Sequence, residues 1–332
     1  MTILEQYVAI QEEASYGTAA VDALKGYESR VDGWQRDVIH IEGGGRHPGR
    51  SGQQANRRRQ VDRGATGRIE SVLLTAGEGL RLKHLLGSFS AAPVGVSGST
   101  GAYRIVLEAD TAGPTGSYTT VVARSDTEDV MRYFQYEGCL PTAWGISVEE
   151  GGELTLGVDY DSKKETVLSD APDAPTYPDA AGSDMFIFED CALMLDGASV
   201  TSFRSFSLDA SLMLDTGRFK LRGSADKDKP IRNGVPTFEG SISGDFMDLT
   251  EYERFVAGEP ISLSLTATAL SVIGSTTQNP TFQITLPAVQ YNGSTPQSSL
   301  DGVSTIEVPF TALSNADNKI CSIEYISADS DY

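Results

Sequence analysis

Several acidic residues stand close enough together in the sequence to suggest acid–base chemistry. The best examples are the pairs Glu149–Glu150 and Asp159–Asp161, because a glycosidase works with two neighbouring carboxylates. Each pair also lies beside a turn or near the end of an alternating segment, where solvated acids are common. We interpret these acids as surface carboxylates and predict that the protein is not an enzyme.

Other chemical signatures are missing from the sequence. The glycine run at 43–45 lacks the ending of a phosphate-binding loop, and no G-x-S-x-G motif occurs. Three histidines and three widely separated cysteines show no metal-ligand spacing. The acidic segment DYDSKKE at 159–165 lacks the spacing of a calcium-binding EF-hand loop. We therefore expect no cofactor, no metal site and reduced thiols in a protein made in the cytoplasm.

The most unusual segment is GGGRHPGRSGQQANRRRQVDRGATGR, residues 43–68, which concentrates positive charge. Its net charge is +6 while the whole chain carries −20, so the remainder carries −26. The seven arginines of this segment are Arg46, Arg50, Arg57, Arg58, Arg59, Arg63 and Arg68.

Three roles fit this arginine-rich segment. Arginine pairs well with nucleic-acid phosphate, but residues 46–68 contain no aromatic side chain for base stacking, and the acidic remainder repels nucleic acid. A solvated, floppy loop also suits the composition. In the third role, which we favour over the floppy loop, the segment docks on an acidic surface of an identical subunit.

Alternation of apolar and polar residues dominates the rest of the chain. It is clearest in ISLSLTATAL (261–270), FSLDASLML (206–214) and ELTLGVDY (153–160), and it predicts antiparallel sheet with one dry and one wet face. Glu150-Gly151-Gly152 is expected to close a hairpin. We interpret the Pro/Asp-rich segment 169–183 as a long loop inside one sandwich in preference to a boundary between two domains.

One clear helix is predicted over residues 248–260. Asp248 and Glu251 have capping-box spacing, and Gly258 is expected to end the helix. The apolar stripe expected to pack this helix on the sheet comprises Leu249, Tyr252, Phe255 and Val256. A weaker helix is predicted at 76–87. The N-terminal segment has no basic region typical of a signal peptide, no apolar run reaches the ~20 residues of a membrane span, and no membrane association is expected.

In this arrangement the chain resembles the major tail tube proteins of long-tailed, siphovirus-type bacteriophages. The motifs that carry the resemblance span most of the chain and are EEASYGT (12–18), GYESR (26–30), GRIESVLL (67–74), FQYEGCLPTAWGISVEEGGELTLGVDY (134–160), MFIFEDCALMLDG (185–197) and the D-x-x-x-Y-x-x-F-x-x-G helix starting at Asp248.

The resemblance implies one tail-tube domain over residues 1–332, with a mainly β fold. Two packed antiparallel sheets, a β-sandwich or partial barrel, would carry one flanking helix. Six subunits would form a ring with a continuous inner β-barrel, and rings would stack into a tube. The segment at about 43–68 would be the loop that reaches the adjacent ring. The surplus length would lie in an insertion at about 92–124, in the loop at about 169–183 or in an outward decoration.

The resemblance also implies a place in the virion tail after synthesis in the host cytoplasm. The partners would be further copies of the chain, the tape measure protein, the tail terminator and the distal tail or baseplate proteins. Viral DNA would pass through without specific binding. An acidic lumen would prevent DNA from binding to the wall. The alternation of apolar and polar residues indicates Asp159, Asp161, Asp209 and Asp215 as candidate lumenal acids.

The sequence is also compatible with a function other than that of a tube subunit. A non-catalytic β-sandwich module, such as a virion decoration, an adhesin or a carbohydrate-binding domain, has the same short alternating strands. Sugar-binding modules usually display an aromatic platform, whereas Trp34 and Trp144, the two tryptophans of the chain, are expected to be core or interface anchors.

Overall fold

A computed structural model describes most of the chain. The described residues are 5–20, 23–45, 48–49, 51–52, 54–89, 92–109, 115–178, 182–221, 223, 226–293, 295–296 and 303–332. Among them, eleven strands and one short helix form the segments before residue 163. They are β1 Tyr7–Glu12, β2 Lys25–Tyr27, β3 Val31–Asp32, β4 Gln35–Glu42, β5 Arg58–Val72, α1 Gly79–Leu82, β6 Gly87–Phe89, β7 Val94–Gly95, β8 Tyr103–Ala109, β9 Tyr118–Ser125, β10 Met131–Glu149 and β11 Thr155–Ser162.

Eleven further strands and a second helix follow in the described part of the chain. They are β12 Lys164–Leu168, β13 Cys191–Leu195, β14 Ala198–Val200, β15 Phe203–Ser211, β16 Leu214–Asp215, β17 Ile231–Arg232, β18 Thr237–Asp245, α2 Thr250–Ala257, β19 Ile261–Thr268, β20 Thr281–Tyr291, β21 Thr305–Ala312 and β22 Ser322–Ser327.

The strands form one branched network of antiparallel pairs. The first row runs β5, β11, β10, β15, β18 and β21. A short pairing of β21 with β20 leads into a second row, in which β13, β19, β20, β22 and β8 lie side by side. β9, β1 and β2 branch from the first half of β10, while β16 and β17 form a separate small sheet. The predicted mainly β, antiparallel fold is confirmed.

Both rows of strands contribute to one hydrophobic core. In β19 every second residue from Ile261 onward is buried, as its alternating sequence predicts. Trp34 and Trp144 are 3% and 1% exposed, so neither can serve as a sugar platform. The predicted hairpin turn is present, because Gly152 N–H donates to the Glu149 carbonyl and Gly151 has a φ of 70°.

The segments with uncertain roles join this network in different ways. Residues 92–124 supply β7, β8 and most of β9, and β9 lies between β1 and β10. These strands are part of the network, and the assignment of 92–124 as an insertion stays a prediction. Residues 169–178 contain no strand, and the Thr176 backbone hydrogen bonds to Leu24 and Gly26. No described helix is both long and apolar enough to cross a bilayer.

The structure corrects the expected loop at 43–68. Residues 58–68 belong to the long strand β5, which pairs with β4 at its start and with β11 further along. The turn proper therefore lies between Glu42 and Arg58, and Arg46 and Arg50 of this turn lie outside the described residues. Glycine and arginine are weak strand formers, and the pairing partners, which lie elsewhere in the chain, override that tendency.

Candidate functional site

The arginine-rich segment and the strand before it form a two-stranded ribbon. This ribbon, with Arg57 at its turn, is here called the arm and comprises Gln35–Glu42 and residues 57–64. Seven of the eight residues of β4 are exposed, so solvent reaches both faces of the ribbon. Ile39 and Ile41 are 36% and 53% exposed, and Ile41 lies opposite Arg59. A two-stranded ribbon alone is marginally stable in water, and apolar side chains on it favour a partner surface.

Three arginines of the arm project into solvent. Arg57 and Arg59 are exposed and make no side-chain hydrogen bond or ion pair within the described part of the chain. Arg58 lies 3.3 Å from Glu42 through Nε and Oε1, and both side chains are about half exposed. Such a surface pair holds its partners weakly, so all three guanidinium groups can reach an acidic partner.

Arg63 and Arg68, in contrast, contact the body of their own subunit. The Arg63 guanidinium lies 4.2 Å from the ring centroid of Phe219. Arg68 makes salt bridges of 2.9 Å with both Glu70 and Asp159. The prediction that these two arginines belong to the ring-stacking loop is wrong in its loop assignment, since both lie on β5 and have partners within the subunit.

The solvent side of β10, β15 and β18, here called the hydrophilic face, carries small and acidic residues. Its members at the strand positions that alternate with core residues are Ala143, Gly145, Ser147, Glu149, Ser205, Ser207, Asp209, Ser211, Thr237, Glu239, Ser241, Ser243 and Asp245. Hydroxyl pairs link the strands, with oxygen–oxygen distances of 2.6 Å for Ser205–Ser243 and 3.1 Å for Ser207–Ser241. The face is thus smooth, polar and negatively charged, and these residues offer no cationic side chain and no apolar side chain larger than that of Ala143.

The four acids predicted to line a lumen have different environments. Asp209 is exposed near the middle of the hydrophilic face, and Asp159 is held in the salt bridge described above. Asp161 is buried, with Oδ1 2.5 Å from Nζ of the buried Lys227, and burial raises the pKa of Asp161. It therefore cannot line an open surface, which corrects that prediction. Asp215 lies on the separate small sheet.

Helix α2 exists where the sequence predicts it, but its apolar stripe is mostly solvent-exposed. Leu249, Tyr252 and Val256 are 55%, 37% and 65% exposed, and only Phe255 packs against the core. The predicted role of the first three in helix packing is therefore wrong. Asp248 accepts a 2.8 Å hydrogen bond from the Thr250 N–H.

The predicted capping box is also absent from α2. Glu251 instead contacts Arg254 at 3.0 Å and accepts a 2.7 Å hydrogen bond from Tyr291. Gly258 ends the helix in the left-handed conformation at φ 66°, as its position in the sequence predicts.

The two ends of the first row of strands differ in their charge. At one end, here called the arm end, β15 finishes at Ser211 and β18 begins at Thr237, level with the base of the arm. At the other, the helix end, β18 finishes at Asp245 and leads into α2. Acidic residues at or beside the helix end are Glu149, Glu150, Asp245, Asp248, Glu251, Glu253 and Glu307.

Three of these seven acids pair with an arginine, and one of them is Glu251, which contacts Arg254 as described above. Arg204 lies 3.2 Å from Glu150 and 2.9 Å from Asp245. The other four acids make no ion pair within the described part of the chain. One molecule therefore carries a basic arm at one end of its strands and an acidic surface at the other.

The sequence model of the phage tail tube protein family matches residues 5–312. The chain belongs to this family. No match was found among the curated proteins. As a tail tube subunit the protein is a structural component of a phage tail, and it assembles with copies of itself into a tube.

A buried carboxylate, which the sequence reasoning missed as a functional group, organises the N-terminal part of the tail tube subunit. Glu13 is 6% exposed. Its carboxylate oxygens accept four hydrogen bonds, from Gly17 N–H at 2.7 Å, Ser117 Oγ at 2.6 Å, Thr119 Oγ1 at 3.0 Å and Gly138 N–H at 2.7 Å. Glu13 thereby joins β1 to β9 and β10. The signal for this role in the sequence is the pair of adjacent glutamates in EEASYGT, which follows an apolar segment.

The neighbouring acid, Glu12, anchors the segment after α1. Its Oε2 lies 2.7 Å from Lys83 Nζ, and its Oε1 lies 2.9 Å from His84 Nε2. The hydrogen bond with His84, with a further contribution from Lys83, lowers the pKa of Glu12 to about 2.

The described residues of the tail tube subunit hold no group of three or more His, Cys, Asp or Glu side chains arranged for a metal ion. The three cysteines are free thiols, and burial raises the pKa of Cys191 to about 12. These thiols are therefore poor nucleophiles and metal ligands at neutral pH.

Proposed function

We propose that the subunits join side by side into rings of six, and that the rings stack end to end into a hollow tube of a siphovirus-type tail, through which viral DNA passes. The observation that carries this proposal is the opposite charge at the two ends of β15 and β18. A contact between unlike ends of identical molecules is heterologous, and it continues as a filament instead of closing.

The arm supplies the contact between rings. Arg57, Arg58 and Arg59 extend from one end of the subunit, while Glu149 and Glu307 lie at the other. Complementary charges of this kind steer subunits together and set their orientation. The exposed Ile39 and Ile41 of the arm add apolar contact area once the ribbon has a partner surface.

The hydrophilic face forms the wall of the lumen. A conduit must not bind the DNA that moves through it. Carboxylates repel phosphate and hydroxyls carry no charge to attract it, whereas arginine and lysine bind it. Asp209 and Glu239 supply negative charge at the centre of this face. The serine ladder around them leaves no bulky side chain to obstruct passage.

Lateral contact uses an open strand edge. β21 pairs with β18 along most of its length, but it pairs with β20 only over residues 310–312. The other edge of residues 305–308 has no strand partner among the described residues. An open edge is a pairing site for a neighbouring subunit, and pairing around a ring removes the edge.

Assembly of the purified protein tests this proposal. Concentrated protein, seeded with tail initiator complexes if needed, should form long hollow rods in negative-stain micrographs, with six-fold symmetric end views. The terminator, tape measure and distal tail proteins would then bind at tube ends or inside. Seeded protein that remains monomeric, or that forms solid fibres, contradicts the proposal.

A further inference from the structure

We propose a second contact between stacked copies: the described residues 212–221, 223 and 226–236, here called the clasp, pack on the exposed apolar face of α2 of the next subunit. This inference rests on the proposed end-to-end stacking. It adds to the arm a separate pair of surfaces, one at each end of the subunit.

The clasp lies at the arm end and displays apolar side chains to solvent. It connects the end of β15 to the start of β18, so the sheet topology places it beside the base of the arm. Its exposed large apolar residues are Met213 at 44%, Leu221 at 109%, Ile231 at 52% and Val235 at 80%. A cluster of this kind at one end of a protein indicates an interaction surface.

The clasp is held to the subunit body at fixed points. Lys227, 3% exposed, forms the buried ion pair with Asp161, and Phe219 lies under the Arg63 guanidinium. A Cβ on Gly64 would approach Lys227 Cε to 2.9 Å and the Ser162 carbonyl oxygen to 2.3 Å. The segment is therefore presented in a defined position, which lowers the entropy lost when it binds.

The α2 face is the matching surface at the helix end. Met247 is 75% exposed and precedes the helix, which adds the exposed Leu249, Tyr252 and Val256. The clasp and the α2 face together hold eight of the eighteen large apolar side chains described as exposed. These exposed apolar side chains lie at opposite ends of the subunit, as expected if the clasp of one copy contacts α2 of the next.

The charges of the two surfaces are complementary. Lys220 projects beside Leu221 and has a 62% exposed side chain, with a 2.6 Å contact to Asp228. Asp248 and Glu253 flank the apolar residues of α2 and are exposed. β18 separates the two surfaces by about 30 Å, so one subunit cannot bring its own clasp and α2 together, and a contact between them joins two copies.

Charge reversal with a rescue tests the clasp contact. Lys220→Glu and Glu253→Lys should each lower the fraction of protein that sediments as tubes by roughly tenfold, and the double variant should recover most of it. Leu221→Asp should lower it similarly. All three residue changes lie on the surface, so circular dichroism and thermal unfolding of the four variants as monomers should match the wild type.

Zero-length carbodiimide cross-linking locates the contact independently. In tubes assembled from a mixture of ¹⁴N- and ¹⁵N-labelled chains, peptides that contain Lys220 should be joined to peptides from 247–259 with mixed isotope labels. If the wild type forms tubes, all variants assemble normally and no such cross-link is found, the clasp contact is overturned. The proposed function then still stands. A wild-type chain that forms no tubes contradicts the proposed function itself.

Discussion

Asp209 on β15 lies directly opposite Glu239 on β18, and both side chains are exposed on the hydrophilic face. Neither makes an ion pair or side-chain hydrogen bond within the described part of the chain. Like charges directly across a strand pair destabilise a sheet. Their presence at the centre of a face otherwise built mostly from serine, threonine and glycine indicates that the negative charge has a function on this face.

The first prediction concerns DNA retention inside the tube. Asp209→Lys combined with Glu239→Lys changes the charge of this site from −2 to +2 in each subunit. Tubes of this variant should bind a short DNA duplex at low salt at least about tenfold more tightly than wild-type tubes, and high salt should release it. Co-sedimentation of a fluorescent duplex measures this effect.

The matched control for DNA retention is Asp173→Lys, which introduces a lysine in the exposed 169–178 segment. It should leave DNA binding near the wild-type level. If both variants retain DNA equally, the hydrophilic face is not the lumen wall.

The second prediction concerns the arm. Replacing Arg57, Arg58 and Arg59 with alanine should leave each subunit folded, because these side chains make at most one weak pair within it. Tube growth should fall at least about tenfold, since the charge that steers ring stacking is lost. Electron micrographs give the tube lengths, and tubes of normal length from the triple variant would rule out the docking role.

The third prediction concerns the buried hub at Glu13. Glu13→Ala leaves two backbone N–H groups and two hydroxyls without their acceptor, and it should lower the free energy of unfolding by about 3 kcal/mol or more. Glu13→Gln should be less severe. Urea unfolding followed by the fluorescence of Trp34 and Trp144 gives the values. Glu128→Ala, in an exposed turn, should change the stability by less than about 0.5 kcal/mol.

The fourth prediction concerns acid stability. The pKa of Glu12 is about 2 in the folded chain, below its ordinary value of 4.5, so the unfolded chain binds the proton more readily. The stability contributed by Glu12 is therefore complete above pH 4.5 and is lost as the pH falls toward 2. Glu12→Gln should lower the thermal midpoint at pH 6 and reduce its further fall between pH 4.5 and 3. Parallel pH profiles of the two proteins would contradict this assignment.

Much of the fold could be predicted from the sequence because the signals are local. Alternation in β19 and the turn at Gly151 depend on neighbouring residues, and both were predicted correctly. Asp161 could not be placed correctly, because its burial depends on Lys227, 66 residues further along the chain. Strand formation at 65–68 likewise depends on pairing with β11, which lies far along the chain.

The candidate surfaces were only partly predictable. Their charge is visible in the composition, but which arginines face solvent depends on partners such as Phe219 and Asp159. Helix α2 was predicted from its apolar spacing, and the same spacing suggested burial. A stripe of apolar residues looks alike in the sequence whether the surface that covers it belongs to the same chain or to a neighbour.

The most direct test of end-to-end assembly is a cryo-electron microscopy reconstruction of the assembled tube. Our account predicts that the arm of each subunit contacts the acidic helix end of a subunit in the next ring, and that Asp209 and Glu239 face the lumen. A reconstruction in which the arm lies free in solvent and a basic surface lines the channel would contradict the account.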